Sequence, residues 1–294
     1  MRLLFVMNPS SGTNDPDGII RSLQTSAAKA GIETRFLFTT GENDDVAIKD
    51  VVLSFSPDRI VAGGGDGTVQ LVARNIIGLQ IPMAILPLGS ANGLATALGI
   101  PKRLEDAMQI IIEQKKTIPL DLLRLNDNHI CIHLCDIGTN ALLVKNYEEA
   151  GDKGMLGYAR HLISSIRDSD LVQFEIRSDG KTHTKEGYML VVANAHKYGT
   201  GVQISEGSVS DGMFEICNVQ RIDLESAVKA GLTAINIFVD RKMFSDVIKA
   251  REAYIRISPA AHLQVDGEYI GEVTDLKVEI ISSALNIIVP DEEQ

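Results

Sequence analysis

The chain has 294 residues, of which 45% are hydrophobic and 23% charged, with a formal net charge of −11. That length allows two domains with a core each, and that balance excludes a disordered chain. The acidic excess argues against a nucleic-acid binder, which needs a basic footprint, and against bulk adhesion to an anionic membrane.

The opening "RLLFVM" reads as a buried strand, because its apolar run ends at Asn8, too soon for the core of a signal peptide. A helix over residues 16–30 follows, then the alternating strand "IETRFLF". "DDVAIKDVVLSF" is helical, with Val46, Lys49, Asp50 and Leu53 marking its faces. Then come the strand "RIVA", a helix after Gly67, the strand "PMAIL", a helix from about Ala91 and a last one over "LEDAMQIIIEQ". This strand–helix alternation predicts an α/β domain with a parallel, doubly wound sheet.

From about Thr117 the texture changes. "TIPLDLLRL", "HICIHLCDIG", "LVQFEIRSDG", "THTKEGYMLVVAN", "GMFEICNV" and "LKVEIIS" are strand-like, and two helices interrupt them: "MLGYARHLISSIRDS" and a segment from Leu224 to about Ala250. The second domain is therefore expected to be an antiparallel, β-sandwich-like sheet with two helices. The expected division is 1–122 and 123–284, with 285–294 returning to the first domain. No window offers ~20 uninterrupted apolar residues, so no membrane span is expected, and the expected location is cytoplasmic.

Cys131, Cys135 and Cys217 cannot all pair, and their number suits a reducing compartment. Cys131, His133 and Cys135 alternate, but on one strand they would stand about 7 Å apart at each step, too spread for a tetrahedral zinc. Small core residues are the better reading.

Asp17, Asp66, Asp179, Asp211 and Asp266 each precede a glycine. A turn is the default for all; between two alternating runs, Asp179-Gly180 is a strong hairpin signal. Asp66 stands in "GGGDGT", between a strand and a helix, where open α/β sheets hold phosphates against a helix N-terminus. The chain has no P-loop string, and "GGGDGT" lacks the spacing of the dinucleotide fingerprint. Three loops, "NPSSG", "GGGDGT" and "PLGSAN", should gather at the carboxyl edge of the sheet. They offer glycine amides, hydroxyls, Asn8, Asn92 and the single carboxylate of Asp66. Amides and hydroxyls suit phosphate oxygens, and a lone carboxylate suits Mg²⁺ bridging them. Gly65 and Gly67 are expected to act through positive φ and close approach of phosphate.

"NPSSG", "GGGDGTV" and "LPLGSANGLATALGIP" resemble the diacylglycerol kinase catalytic domain of bacterial lipid kinases and sphingosine kinases. "SVSDGMFEI" and "LQVDGEYIGE" match its later motifs in order, so the resemblance covers almost the whole chain. GGDGT alone marks only a superfamily shared with NAD kinases and phosphofructokinases; the late V-D-G-E narrows it to lipid kinases. The resemblance implies ATP at Asn8, Pro9, Ser10, Ser11, Gly12, Gly64, Gly65, Asp66, Gly67, Thr68 and Ser90, with either Thr39 or Thr40. It implies a catalytic glutamate at Glu268, and Mg²⁺ with ATP at Asp66. It also implies a structural Mg²⁺ held by the Asp211 carboxylate with the Ser208 and Met213 carbonyls. The partners implied are ATP and a membrane lipid reached by transient, peripheral contact with the membrane surface, with no nucleic acid; a homodimer is compatible with the sequence.

Two features depart from the family pattern. Gly93 replaces an aspartate found in many bacterial members, and Gln70 and Leu71 replace an N-E pair. From the residues alone, Glu268 reads first as an exposed hairpin residue beside a turn, and it is the resemblance that makes it the catalytic base. An ATP-dependent lipid kinase therefore leads, against an NAD kinase-like enzyme and a nucleotide- or lipid-binding regulator that has lost catalysis.

Overall fold

The structure is a computed structural model, and it describes residues 1–11, 15–90, 92–139, 141–143, 145, 170–194, 197–198, 202–203, 210–220 and 244–291. The chain forms two compact units, Met1–Leu120 with Ser283–Gln294, and Asp121–Ser282.

In the first unit, β1 (Arg2–Met7), α1 (Pro16–Lys29), β2 (Glu33–Phe38), α2 (Asp44–Phe55), β3 (Arg59–Gly64), α3 (Asp66–Ile76) and β4 (Met83–Pro87) alternate, and α4 (Gly93–Ala97) and α5 (Leu104–Glu113) follow. Their starts and stops are written locally. Asp15 accepts the Gly18 amide at 2.8 Å, and Pro16 opens the helix that this cap begins. Asp17-Gly18 accordingly lies inside the first turn of α1 and not in a free turn. At the far end of α5, the Arg59 guanidinium donates to the carbonyls of Ile111 and, at 2.8 Å, Ile112, which satisfies groups the helix leaves open. The buried stripe of α2 is Ile48, Val52 and Phe55. Val46 and Leu53 are instead 58% and 79% exposed, so the face they mark looks outward.

The sheet order in this unit is β4–β3–β1–β2, all parallel, extended beyond β4 by the end of β16 (Glu268–Val289) through Ile287 paired to Met83. Leu3, Phe5, Val61, Ala84 and Leu86 share one core cluster with α1 and α5 residues such as Leu23 and Met108, and Phe5 stacks on Phe36 at 4.8 Å. Parallel strands buried in this way are near-continuous apolar runs, as "LLFVM" and "MAIL" are.

The second unit is antiparallel. After β5 (Lys116–Leu125) come β6 (His129–Cys131), β7 (Leu134–Gly138), β8 (Val172–Ser178), β9 (Lys181–Gly187), β10 (Met189–Ala193), β11 (Lys197–Tyr198), β12 (Val202–Gln203), β13 (Phe214–Val219), β14 (Phe244–Ala250) and β15 (Glu252–Val265), then β16. The order is β14–β13–β10–β7–β15–β16. The first half of β15 also pairs with β8 and its second half with β7, with a register shift between Arg256 and Ala261. One strand thus serves two pairings, and Phe174, Ile176, Leu190, Phe214, Ile255 and Leu263 meet in one core cluster. The β8–β9 hairpin turns at Asp179-Gly180 with φ of 49° and 72°, which a two-residue turn of this hand requires.

Two expectations are corrected here. "HICIHLCDIG" is not one strand, because β6 ends at Cys131 and β7 begins at Leu134. Phe244–Ala250 is a strand paired with β13 and not the end of a helix; the ladder to β13, broken by an irregularity between Ile216 and Asn218, decides a segment whose own periodicity is mixed. The rest of that expected helix, residues 224–243, lies outside the described residues, as does the helix expected over 155–169. Among the described residues no helix is long and apolar enough to cross a membrane.

Candidate active site

Four loops leave the carboxyl ends of adjacent parallel strands, and backbone hydrogen bonds extend the ladder into them. The Asn8 amide donates to Gly63 O at 2.9 Å, Thr39 to Met7 O at 2.9 Å, and Leu88 to Gly64 O at 3.0 Å. "NPSSG", the threonine pair, "GGGDGT" and "PLGSAN" therefore share one sheet edge, where a doubly wound sheet binds its ligands.

Each loop is held by its own side chains. Asn8 Oδ1 accepts the Ser10 amide at 2.9 Å, while Pro9 and Ser10 are exposed. The Thr40 hydroxyl sits in the turn before α2, donating to Glu42 O at 2.9 Å, and the Thr40 amide holds the Asp44 carboxyl below its ordinary range. Asn92 is buried, and its side chain closes on the Gly89 peptide, accepting from Gly89 N at 2.9 Å and donating to Gly89 O at 2.6 Å. It shapes the loop that presents the exposed Ser90. Gly12 lies outside the described residues.

The glycines answer to protein neighbours. A Cβ on Gly64 would overlap the buried Thr68 side chain, and one on Gly89 would overlap the Cα of Gly65. Gly65 has φ −88°, and Gly67 lies in the first turn of α3, so neither uses the left-handed region; that part of the expectation is corrected. Close backbone approach is the operative reason, here between two loops. Gly65 is the N-cap of α3 and offers no side-chain cap; its carbonyl accepts the Thr68 amide at 3.0 Å, and the amides of Asp66 and Gly67 open the helix at the loop edge.

Asp66 opens α3 and reaches across to α4. Its Oδ2 accepts the Gly93 amide at 3.0 Å and its Oδ1 the Leu94 amide at 3.2 Å. A Cβ at position 93 would lie 3.7 and 3.8 Å from these oxygens, an ordinary contact, so the glycine leaves room beside the carboxylate. Each oxygen retains a second lone pair. Among the described residues no cluster of three His, Cys, Asp or Glu could hold a metal by itself. One carboxylate beside loop amides does fit Mg²⁺, which takes one or two carboxylates together with phosphate oxygens.

In the second unit, Glu268 is exposed at the first position of β16, directly opposite Val265. The turn joining them is Asp266-Gly267, with φ of 49° and 92°. The Asp266 carboxylate accepts the amides of Ile132, His133 and Leu134 at 2.7, 2.9 and 3.0 Å. Burial pushes this carboxyl up, and the three N–H donors pull it the other way.

Asp211 Oδ1 accepts the Met213 amide at 3.0 Å, and the intervening Gly212 amide donates to Asp121 Oδ2 at 2.7 Å. Two carboxylates thus bond consecutive amides of one turn, an oxygen-rich set suited to Mg²⁺. Ser208 lies outside the described residues. Asp121 is only 1% exposed and was not singled out from the sequence. The signal was there: a carboxylate inside the apolar "PLDLL" of β5 must have partners if the strand is buried.

All three cysteines are buried and unpaired with one another. Burial pushes Cys217 up to about 12 and Cys131 well above the ordinary thiol range, so both are neutral thiols at pH 7.

The family described as "Diacylglycerol kinase catalytic domain" matches residues 2–125, and "YegS C-terminal NAD kinase beta sandwich-like domain" matches residues 137–289. A "Probable lipid kinase YegS-like" protein of Klebsiella pneumoniae is 28% identical over 219 residues, 72% of each chain. One of the same description from Yersinia enterocolitica is 25% identical over 98% of this chain and 96% of its own. A crystal structure described as a diacylglycerol kinase from Bacillus anthracis superposes with a TM-score of 0.73 at 19% identity, covering 98% of this chain and 97% of its own, which speaks for the fold alone. With one domain match on each unit and the glycine loops and V-D-G-E turn in their places, the chain belongs to the diacylglycerol kinase catalytic-domain family of lipid kinases, in the form that carries the YegS C-terminal domain.

Proposed function

We propose that the protein is an ATP-dependent lipid kinase that transfers the γ-phosphoryl group to a hydroxyl of a membrane lipid, acting peripherally at the membrane surface. The observation that carries this reading is the sheet edge where Gly65 meets Gly89 and the uncapped head of α3 faces the loops. A strand-to-helix loop edge of this kind suits phosphate oxygens, which supports the reading. Ser10, Ser11, Thr68 and Ser90 supply hydroxyls there, with Gly12 of the same loop. The Thr40 hydroxyl is committed to the turn before α2, which favours Thr39 as the threonine for nucleotide.

Asp66 would hold Mg²⁺, which supplies charge neutralisation on the phosphates when bound. Asp211 with the Ser208 and Met213 carbonyls would hold the structural Mg²⁺, and Asp121 anchors that turn. Glu268 serves as base: it takes the proton of the lipid hydroxyl as the oxygen bonds the γ-phosphorus. The bond from γ-phosphorus to the β–γ bridging oxygen breaks, and ADP leaves with that oxygen.

The test is incubation with γ-labelled ATP and vesicles of extracted lipid, with NAD as a parallel acceptor. Label in a lipid supports the reading. Label in NAD alone replaces it by a soluble-substrate kinase, and ATP binding with no transfer to either replaces it by a binding regulator.

A further inference from the structure

Asp179-Gly180 and Asp266-Gly267 are the same residue pair in the same tight turn, with positive φ throughout. Yet the two are held differently. Asp179 and Gly180 are exposed at the end of their hairpin. Asp266 instead turns its carboxylate onto three consecutive amides, two between β6 and β7 and the third that of Leu134 at the start of β7, at 2.7, 2.9 and 3.0 Å. Its own amide donates to Leu134 O at 2.9 Å.

The next residue of the turn is fastened too. The Gly267 amide donates to Gln264 Oε1 at 2.7 Å, and Gln264, itself 1% exposed, donates through Nε2 to Asp136 on β7. The segment that receives Asp266 is held from its other side by the buried Asn194. Its Nδ2 donates to Ile132 O at 2.9 Å and Asp121 O at 2.5 Å, and its amide donates to His133 O at 3.0 Å.

A two-residue turn needs none of this to close a hairpin, so the fastening serves what the turn presents. We infer that Asp266 is a positioning residue for Glu268, fixing the backbone from which that side chain projects. The inference rests on Glu268 being the base. A base must stand within hydrogen-bond reach of the proton it takes, and a misplacement of about 1 Å costs about 10²-fold. An exposed side chain at a hairpin end gains that accuracy only from its backbone. Asparagine at 266 keeps one oxygen for the His133 and Leu134 amides, which share Oδ1, but turns an NH₂ group onto the Ile132 amide, so the isosteric change breaks one of the three bonds and sets two donors against each other.

The experiment is a double-variant cycle with Asp266→Asn, Glu268→Gln and both together. It uses the lipid that the wild type labels in mixed diacylglycerol–phosphatidylglycerol vesicles, and follows hydrogen exchange at the amides of residues 132–134. Asp266→Asn should lower kcat about tenfold or more, leave the KM for ATP within about twofold, and unprotect those amides. The double variant should be no slower than Glu268→Gln. A purely structural role would lower stability and leave kcat per folded molecule unchanged.

Multiplied losses beside a slow Glu268→Gln overturn the positioning alone. A fully active Glu268→Gln overturns the base and the positioning together. Should Asp266→Asn not fold, Gln264→Met frees the Gly267 amide and enters the same cycle, with the same expected and overturning results.

Discussion

The carboxylate of Asp66 accepts the amide of Gly93 at 3.0 Å, so the first residue of α3 also caps α4. Removing it therefore has two consequences. Asp66→Asn keeps one acceptor and should chiefly weaken ATP binding in the presence of Mg²⁺. Asp66→Ala should add a loss of stability of about 0.5–2 kcal/mol, the worth of a helix cap. Calorimetric titration of ATP with and without Mg²⁺, beside thermal unfolding, separates the two. Equal ATP affinity with and without Mg²⁺ in both the wild type and Asp66→Asn would remove the metal role.

Glu268 is exposed, so its substitution disturbs no packing. Glu268→Gln should retain the fold and ATP affinity while turnover falls by about 10²–10⁴, the usual contribution of a general base. Steady-state kinetics on the labelled lipid, with circular dichroism as control, decides it.

At the glycine loops the sensitive position is Gly89. A Cβ there would overlap the Cα of Gly65 and stand 3.0 Å from its nitrogen, whereas a Cβ on Gly65 would lie 3.4 Å from the Cα of Gly89. Gly89→Ala should therefore weaken nucleotide binding more than Gly65→Ala, and both more than Ser10→Ala. ATP dissociation constants for the three variants test the order, and the reverse order would mean that the glycines serve the ligand and not the loop contact.

The Asp211–Gly212 turn, docked on Asp121, gives a third phenotype. If it holds Mg²⁺, a chelator should lower the unfolding temperature of the nucleotide-free wild type and leave that of Asp211→Ala unmoved. ATP affinity should change little in that variant.

Acid stability carries a smaller signature. The Arg74 side chain, with Asn75, bonds Asp45 and holds its carboxyl down at about 2, against an ordinary 3.8. A depressed carboxyl stabilises the folded state fully above its ordinary value and loses that contribution as pH falls through about 2. The side chains are 45% and 39% exposed, so solvent screening keeps the pair below about 1 kcal/mol. Denaturant midpoints of the wild type and Asp45→Asn should differ at pH 7 and converge toward pH 2.

The first unit was legible because each of its elements carries a local signal. Continuous apolar runs marked the strands, and the helix expected over 16–30 is α1, which the Asp15 cap and Pro16 begin and Gly31, with positive φ, ends. The second unit was harder to read. β14 lies in "FSDVIKA", short and flanked by charge, where periodicity does not separate a helix end from an edge strand. At the site, GGGDGT and DGE were visible as motifs, but the partners of their aspartates were not. Nothing local in "ICIHL" announces that three of its amides hold a carboxylate 132 to 134 positions away. Asn92 reads in the sequence as a ligand donor, and that it also braces the loop is revealed only by the closed Gly89 contact.

The pairing of Ile287 with Met83 has a consequence for synthesis. β4 is made early, and its outer neighbour in the sheet is made roughly 200 residues later. At about 5–20 residues per second, roughly 200 residues take about 10–40 s. For that interval the wholly apolar "MAILP" has one backbone edge unpaired, the kind of edge on which chains aggregate. A nascent chain in that state is a natural client for holding chaperones, and the sheet of the first unit is complete only after the second unit has been synthesised.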